Sequence, residues 1–371
     1  MKKSGIALAA ALALAGGGYY AFVTYRSAAL AGYSNTNIDI GAIKLPESAA
    51  NCAEAADHAR LTCLADQLKA TLSPELLAKF ELPYTVADAK RWSNFPPAGY
   101  NNRVGPTLGD FTPDQRGIIK ALLTEATSLT TNEGYDELEQ ILNADDYLLA
   151  QTNDTAGGFS SSNYHIALLG TPGPTGTWQL YFGGHHFAMT NTYTNGILVG
   201  ATPSFRGVEP FTHFTQNGRD NAPMVQEQAA FAAALTALSP AEAAQAKLAE
   251  IYTDIIAGPQ KDDAIPTANE GQRVGDMAPD QQALVIAAIE TYVRDIALTD
   301  ADMIMAKYQA ELPDTYIAFS GTPTVDAEND YVRIDGPSVW IELSMQPGRS
   351  LPGIHPHSVW RDKVTDYGTN K

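Results

Sequence analysis

The sequence predicts an α+β fold in which an antiparallel sheet, built from a central meander and C-terminal strands, is flanked by helices. Three observations carry this. Apolar residues recur at helical spacing before residue 130 and again between 225 and 312. Strand-like runs rich in aromatic and β-branched residues fill 164–199 and 316–345. Asn195-Gly196, a strong short hairpin signal, joins two of those runs. Grouped rather than alternating helices and strands argue for a largely antiparallel sheet. The C-terminal strands are few and would make a poor separate core, so residues 32–371 are expected to form a single domain.

In chain order, residues 33–50 are polar and read as an extended lead-in. Over 53–72, Ala59, Leu61, Cys63, Leu64, Leu68 and Leu72 recur near helical spacing. Ser73-Pro74-Glu75 begins another helix, with proline at the first helical position, and Pro83 ends it. A loop from Arg91-Trp92-Ser93-Asn94-Phe95-Pro96 runs to Leu108-Gly109-Asp110, which leads into the next helix. There Thr112-Pro113-Asp114-Gln115 is a capping box followed by Ile118, Ile119, Leu122 and Leu123. Ser239-Pro240-Ala241-Glu242 repeats the device, and Ala278-Pro279-Asp280-Gln281 echoes it without the hydroxyl. Gly and Ser between 153 and 163 mark a loop. Strands follow at 164–169 and from 178, then the hairpin into 197–199. Residues 202–223 carry Arg206, Glu209, His213 and Arg219 among Gly, Pro and Asn and read as a long irregular segment, a kind that is often functional. Helices are expected at 225–238, 240–256, 280–296 and 301–312, and strands at 316–319, 331–334 and 339–345.

The chain has 371 residues, 44% hydrophobic and 18% charged, as a soluble globular protein does. Its net charge of -18 repels nucleic acid phosphates and anionic membrane surfaces, which sets nucleic acid aside as a partner. Residues 1–31 have the parts of a signal peptide or signal anchor: Lys2 and Lys3, an apolar run from Gly5 to Val23, then Ala29-Leu30-Ala31. The body is therefore expected outside the cytoplasm, touching membrane only through this segment if it stays uncleaved. The only two cysteines, Cys52 and Cys63, lie in that body and are expected to pair. On one straight helix they would stand about 16 Å apart, so Cys52 must sit on a turn folding back onto the helix of Cys63.

Four of the seven histidines fall in two short segments, Gly183-Gly184-His185-His186 and His355-Pro356-His357. Imidazole is the commonest metal ligand, and such clustering in a histidine-poor chain marks a site. In a strand His355 and His357 project to one face, about 7 Å apart along the backbone. Pro356 cannot donate to a ladder, which places the segment on an edge or in an extended loop. His185 and His186 would point to opposite faces of a regular strand, unless Gly183-Gly184 forms a bulge. Three histidines would leave an open position on zinc for water activation, and copper suits imidazole equally. Asp362 is a further candidate ligand. Glu209 and Glu342 are candidate carboxylates for a fourth ligand, for support or for the general base, and Arg206 and Arg361 could clamp an anionic group. His165 reads as a core or supporting residue, His213 has less support, and His58 reads as an exposed helix residue.

Several segments together resemble a bacterial family catalogued as domain of unknown function 3500. They are Arg91 to Pro96, the Asp110 to Gln115 helix start, Glu133-Gly134-Tyr135, Gly183 to His186, Thr202 to Pro210, and His355 to Asp362 with Asp366-Tyr367-Gly368. The resemblance spans about residues 90–368 and implies one family-wide unit. That family has no settled activity, so it implies neither a reaction nor catalytic residues.

There is no nucleophile elbow, phosphate-binding loop, dinucleotide fingerprint or HExxH pair. The reading that best fits the residues is an exported metal-binding protein, a metalloenzyme activating water at a histidine-held divalent metal. Its substrate would be a small molecule, peptide or carbohydrate. The alternatives are copper redox chemistry, or a noncatalytic cell-envelope binding protein with structural histidines. A lone HH or HxH pair is more often structural than metal-bearing, and only their combination raises the metal reading.

Overall fold

Capping chemistry starts the helices where the sequence places it. In the computed structural model, which describes residues 33–53, 55 and 58–368, α1 (His58–Thr71) is followed by α2 (Pro74–Phe80). The Ser73 hydroxyl accepts the Leu76 N–H at the start of α2. Helix α3 (Pro113–Ala126) opens on the Thr112–Gln115 capping box, both halves of which form. Residues 1–31, read above as an export signal, lie outside the described residues. Cys52 sits in a turn before α1 and bridges Cys63 on it, with Cα atoms 5.7 Å apart.

Helix α4 (Gly134–Thr152) escapes a reading of apolar periodicity. Its buried residues include Glu137, Gln140, Asn143, Asp145 and Asp146, which interrupt the apolar stripe. Helices α5 (Val225–Thr236), α6 (Pro240–Ala246), α7 (Pro279–Val293) and α8 (Leu298–Glu311) follow. The helix expected over 240–256 stops at Ala246. Beyond it, Lys247 bridges Phe319 and the Leu248 N–H donates to the Phe319 carbonyl.

Strands β2 (His165–Leu169), β3 (Thr177–Gly184), β4 (Phe187–Thr194) and β5 (Ile197–Gly200) form the central meander, with the two-residue β1 (Glu81–Leu82) beside β2. The C-terminal strands are β10 (Tyr316–Ser320), β11 (Asp330–Asp335), β12 (Val339–Pro347) and β13 (Ile354–Asp362), with β9 (Gln272–Arg273) at the edge. Between the two groups lies β6 (Ser204–Gly207), inside the segment expected to be irregular. That segment also holds a small hairpin, β7 (Phe214–Gln216) and β8 (Arg219–Asn221). The eleven-stranded sheet runs β1-β2-β3-β4-β6-β13-β12-β11-β10-β9, with β5 on β4, and only the β1–β2 pair is parallel.

Strand alternation divides the sheet into two faces. Ile166, Leu168, Leu180, Phe187, Ile341, Leu343 and Trp360 enter the main core with Ile118, Ile141, Phe231 and Ile289 of the helices. Ala167, Leu169, Tyr181, Phe205 and Val359 turn the other way and meet Trp92, Val104, Ile255 and Tyr367, which come from loops. His355 and His357 share the parity of Val359 and so belong to this loop-covered face.

Candidate metal centre

His185 and His186 are the two central residues of the β3–β4 turn, so neither points from a strand face. The ladder runs regularly through Gly183–Ala188 and Gly184–Phe187, and the glycine pair forms no bulge. Instead, a Cβ on Gly184 would stand 2.7 Å from the Tyr164 ring. The turn is closed by His186 in the left-handed region, φ 62°, a conformation costing on the order of 1–3 kcal/mol in a non-glycine residue. Its surroundings hold it there. Asn94 O accepts the His186 N–H, His186 O accepts from Gly207, Tyr164 Oη donates to His185 O, and Arg103 Nη2 donates to Gly184 O. The two rings stack with centroids 3.6 Å apart.

β13 lies inside the sheet, contrary to the edge placement expected from Pro356. It pairs with β12 throughout and with β6 from His357 to Trp360. The proline is tolerated because the β6 ladder starts one residue later, at His357–Gly207. β6 also pairs with the first residues of β4, Phe187 and Ala188. One short strand thus joins the turn of His185 and His186 to the segment of His355 and His357. Gly207 is the floor of this seam. A Cβ there would meet His186 Cδ2 at 3.0 Å and His357 Cδ2 at 3.2 Å, so the absent side chain makes room for both rings.

The structure brings His186, His355 and His357 together, with one ring nitrogen from each within 4.8 Å of the others. His186 Nε2 and His355 Nε2 are 2.7 Å apart. A second group, Asp145, His185 and His186, meets the same distance condition. Asp145 Oδ1 accepts from His185 Nδ1 at 2.6 Å, and Asp254 Oδ1 accepts from His357 Nδ1 at 3.1 Å. The amide of Gln346 also touches His357 Nδ1 and donates to Asp254 at 2.7 Å. Contact with the Asp254 carboxylate favours the proton on Nδ1, the tautomer that leaves His357 Nε2 as a bare lone pair. That Nε2 is buried without a hydrogen-bond partner, as is His355 Nδ1. Burial, then the neighbouring imidazoles of His185, His355 and His357, holds the His186 pKa well below its usual value. Burial first, then His357, His185 and Arg349, lowers that of His355 to about 2. Both rings are therefore neutral, the form that binds metals.

All four histidines line a cavity of about 410 Å³. Phe95, Pro96 and Phe159 give it apolar walls, and Asp154, Asp254, Glu209, Arg349 and Ser350 its polar ones. Glu209 does reach it, but Oε1 accepts three successive backbone N–H groups, from Arg349, Ser350 and Leu351, at 2.7 to 2.8 Å. Its clear role is to hold the β12–β13 loop. Glu342 lies deeper. It accepts from Ile256 N, Ala257 N, Tyr331 Oη and Trp340 Nε1, and so pins the loop that delivers Asp254.

Arg206, Arg361 and Asp362, the other candidates from the sequence, stand apart from the histidines. Arg206 sits on the opposite face, paired with Glu137 and Asp295. Arg361 shares the histidine face but lies at the far end of β13 with Asp262 and Asp366. Asp362 faces α8 and accepts from Lys307 and Tyr308. His165 is buried between Tyr33 and Gly105 O. His58 is not a free surface residue: it bridges Gly196 O and Asp300. His213 is exposed beside Asp220. Reading the sequence missed Asp145, Asp254, Gln346 and Arg349, which no local motif marks.

A family model described as protein of unknown function (DUF3500) matches residues 54–369. The chain belongs to this family. The DUF3500 match contains every residue of the candidate centre, from Phe95 to His357, and Cys63 but not Cys52. No curated protein and no solved structure matches the chain.

Proposed function

We propose that this DUF3500 protein binds one divalent metal, zinc ahead of copper, through His186, His355 and His357, and uses it to activate water for hydrolysis of a small substrate. The observation that carries the reading is a buried imidazole nitrogen, His357 Nε2, with no partner, beside two neutral imidazoles and an open cavity. Three protein ligands leave a fourth position on zinc, and zinc-bound water ionises near neutral pH. The His357–Asp254 pair supplies the carboxylate support that metal-binding histidines usually have, and Asp145 holds His185 beside His186. The cavity is of small-molecule size. His185, stacked on His186 and tied to Asp145, lines the same cavity and would be the side chain to exchange a proton with such a water. Nucleic acid is not a proposed partner. We also read the body as exported, which the Cys52–Cys63 bridge supports. Among the described residues no helix is long and apolar enough to cross a membrane.

The test is elemental analysis of untagged protein, followed by zinc titration of the metal-free chain. One zinc per chain is expected, falling below a tenth in His186→Ala and His357→Ala variants that keep the wild-type melting profile. A wild-type chain that neither carries zinc nor takes it up at micromolar concentration would refute the reading.

A further inference from the structure

The hairpin loop between β12 and β13 presents a cation to the cavity. Gly348 N donates to Gly353 O and closes the loop, and Glu209 fixes the backbone of Arg349, Ser350 and Leu351. The guanidinium itself is unengaged. Among the described residues every other arginine has an acceptor for its side chain, in most cases a carboxylate, whereas Arg349 has none. This occurs in a chain with 42 acidic and 24 basic residues, where carboxylates are abundant. Arg349 is also the one arginine among those lining the cavity of the four histidines. The carboxylates in that lining are already occupied: Glu209 by three amides, Asp254 by His357 and Gln346, and Asp154 by the N–H groups of Ala156 and Gly157.

We propose that Arg349 is the substrate-anchoring residue, binding the carboxylate of a small organic acid whose apolar part lies against Phe95 and Phe159. Guanidinium presents paired N–H groups that match a carboxylate, and a fixed backbone limits the entropy lost when the side chain engages it. Glu209 is a positioning residue for this contact, acting through the loop. The assignment deepens the reading given under Proposed function and rests on it.

Benzoate is the probe, with inorganic phosphate as the second arm. Full-length protein loaded with cobalt(II) is titrated with each anion, following the cobalt absorption bands and the heat of binding, for wild type, Arg349→Gln and Glu209→Gln. Benzoate should shift the bands in wild type. Arg349→Gln should weaken benzoate by about tenfold, the loss of one charge-assisted pair, with cobalt affinity changed less than about twofold. Glu209→Gln should follow the same pattern with its melting temperature monitored, because a purely structural effect would lower cobalt and benzoate affinity together. Equal benzoate affinity in wild type and Arg349→Gln, or no benzoate binding to wild type, overturns the proposal. Phosphate binding in place of benzoate overturns the organic-acid assignment. If wild type takes up no cobalt, the metal reading has failed instead, and the same tenfold difference is then required in calorimetry of the metal-free chain.

Discussion

Placing a methyl group under the two rings, by Gly207→Ala, separates the site from the fold. The new Cβ would lie 3.0 Å from His186 and 3.2 Å from His357, against an ordinary contact of 3.4 Å or more. The two rings must therefore move by about 0.4 and 0.2 Å, and a metal site tolerates only about 0.2 Å in its ligand distances. Tetrahedral zinc at normal bond lengths would hold its nitrogens about 3.3 Å apart, so if Nε2 of both His186 and His355 held it, their 2.7 Å separation would have to widen. A wedge between His186 and His357 would interfere with that widening. For the fold, two effects oppose each other. Alanine in a strand gains about 0.5–1 kcal/mol over glycine, while overpacking costs about 1–3 kcal/mol. Net destabilisation of at most about 2.5 kcal/mol is expected, with zinc affinity lower by about 10- to 100-fold. Thermal denaturation of the metal-free chain and competitive zinc titration measure the two separately. Undiminished zinc affinity in a folded Gly207→Ala protein would refute the claim that these rings share an ion across Gly207.

Asp254→Asn and Asp145→Asn test the support of the ligands: each removes a carboxylate from an imidazole Nδ1, and loss of such a partner typically costs 10- to 100-fold in metal affinity. Asp254→Asn is expected to fall in that range in a zinc titration, with Asp145→Asn smaller, because His185 is not one of the three proposed ligands. The acidic group around Arg206 predicts pH-dependent stability. Burial first, then the charge of Asp295, raises the Glu133 pKa to about 10 and that of Glu137 to about 7. Unfolded glutamate titrates near pH 4.3, so above that pH the folded chain holds protons that the unfolded chain has lost, and stability falls as pH rises. Melting temperature should decline from about pH 5 through pH 10, and Glu133→Gln should flatten the upper part of the curve; a rising or level profile contradicts the assignment. Arg206→Met leaves Glu137 and Asp295 buried without their cation and should cost about 3–5 kcal/mol in denaturant unfolding, with the histidine site unaltered in the surviving folded fraction. Replacing Cys52 and Cys63 with alanine opens an 11-residue loop and should cost about 2–3 kcal/mol, read in the same assay.

Much of the fold was legible because local chemistry and tertiary environment agree. The Thr112 and Ser239 boxes start helices, and Asn195-Gly196 turns a hairpin, as their side chains and φ preferences require. β6 was not legible. Its four residues lie between Pro203 and Pro210, and they are a strand only because β4 and β13 flank them. Helix α4 hides behind its buried acids and amides, whose partners come from elsewhere in the chain. At the site, the clustering of four histidines was informative and their joint lining of one cavity accords with it. Two of the candidates are set apart by the extent of β13, which the sequence reading did not mark as a strand. Asp362 has the wrong parity to share a face with His357, and Arg361 lies four residues along a strand, about 13 Å away. Asp145 and Asp254 were out of reach, since a helix and a loop over 100 positions from His357 carry no mark of where they dock.

The last strand among the described residues, β13, is one of the innermost of the sheet. Until β13 slides between β6 and β12, both of those strands present open hydrogen-bonding edges. A product truncated ahead of residue 354 would keep those two edges permanently bare, and self-association through them, rather than simple loss of metal, is the defect such a fragment should display.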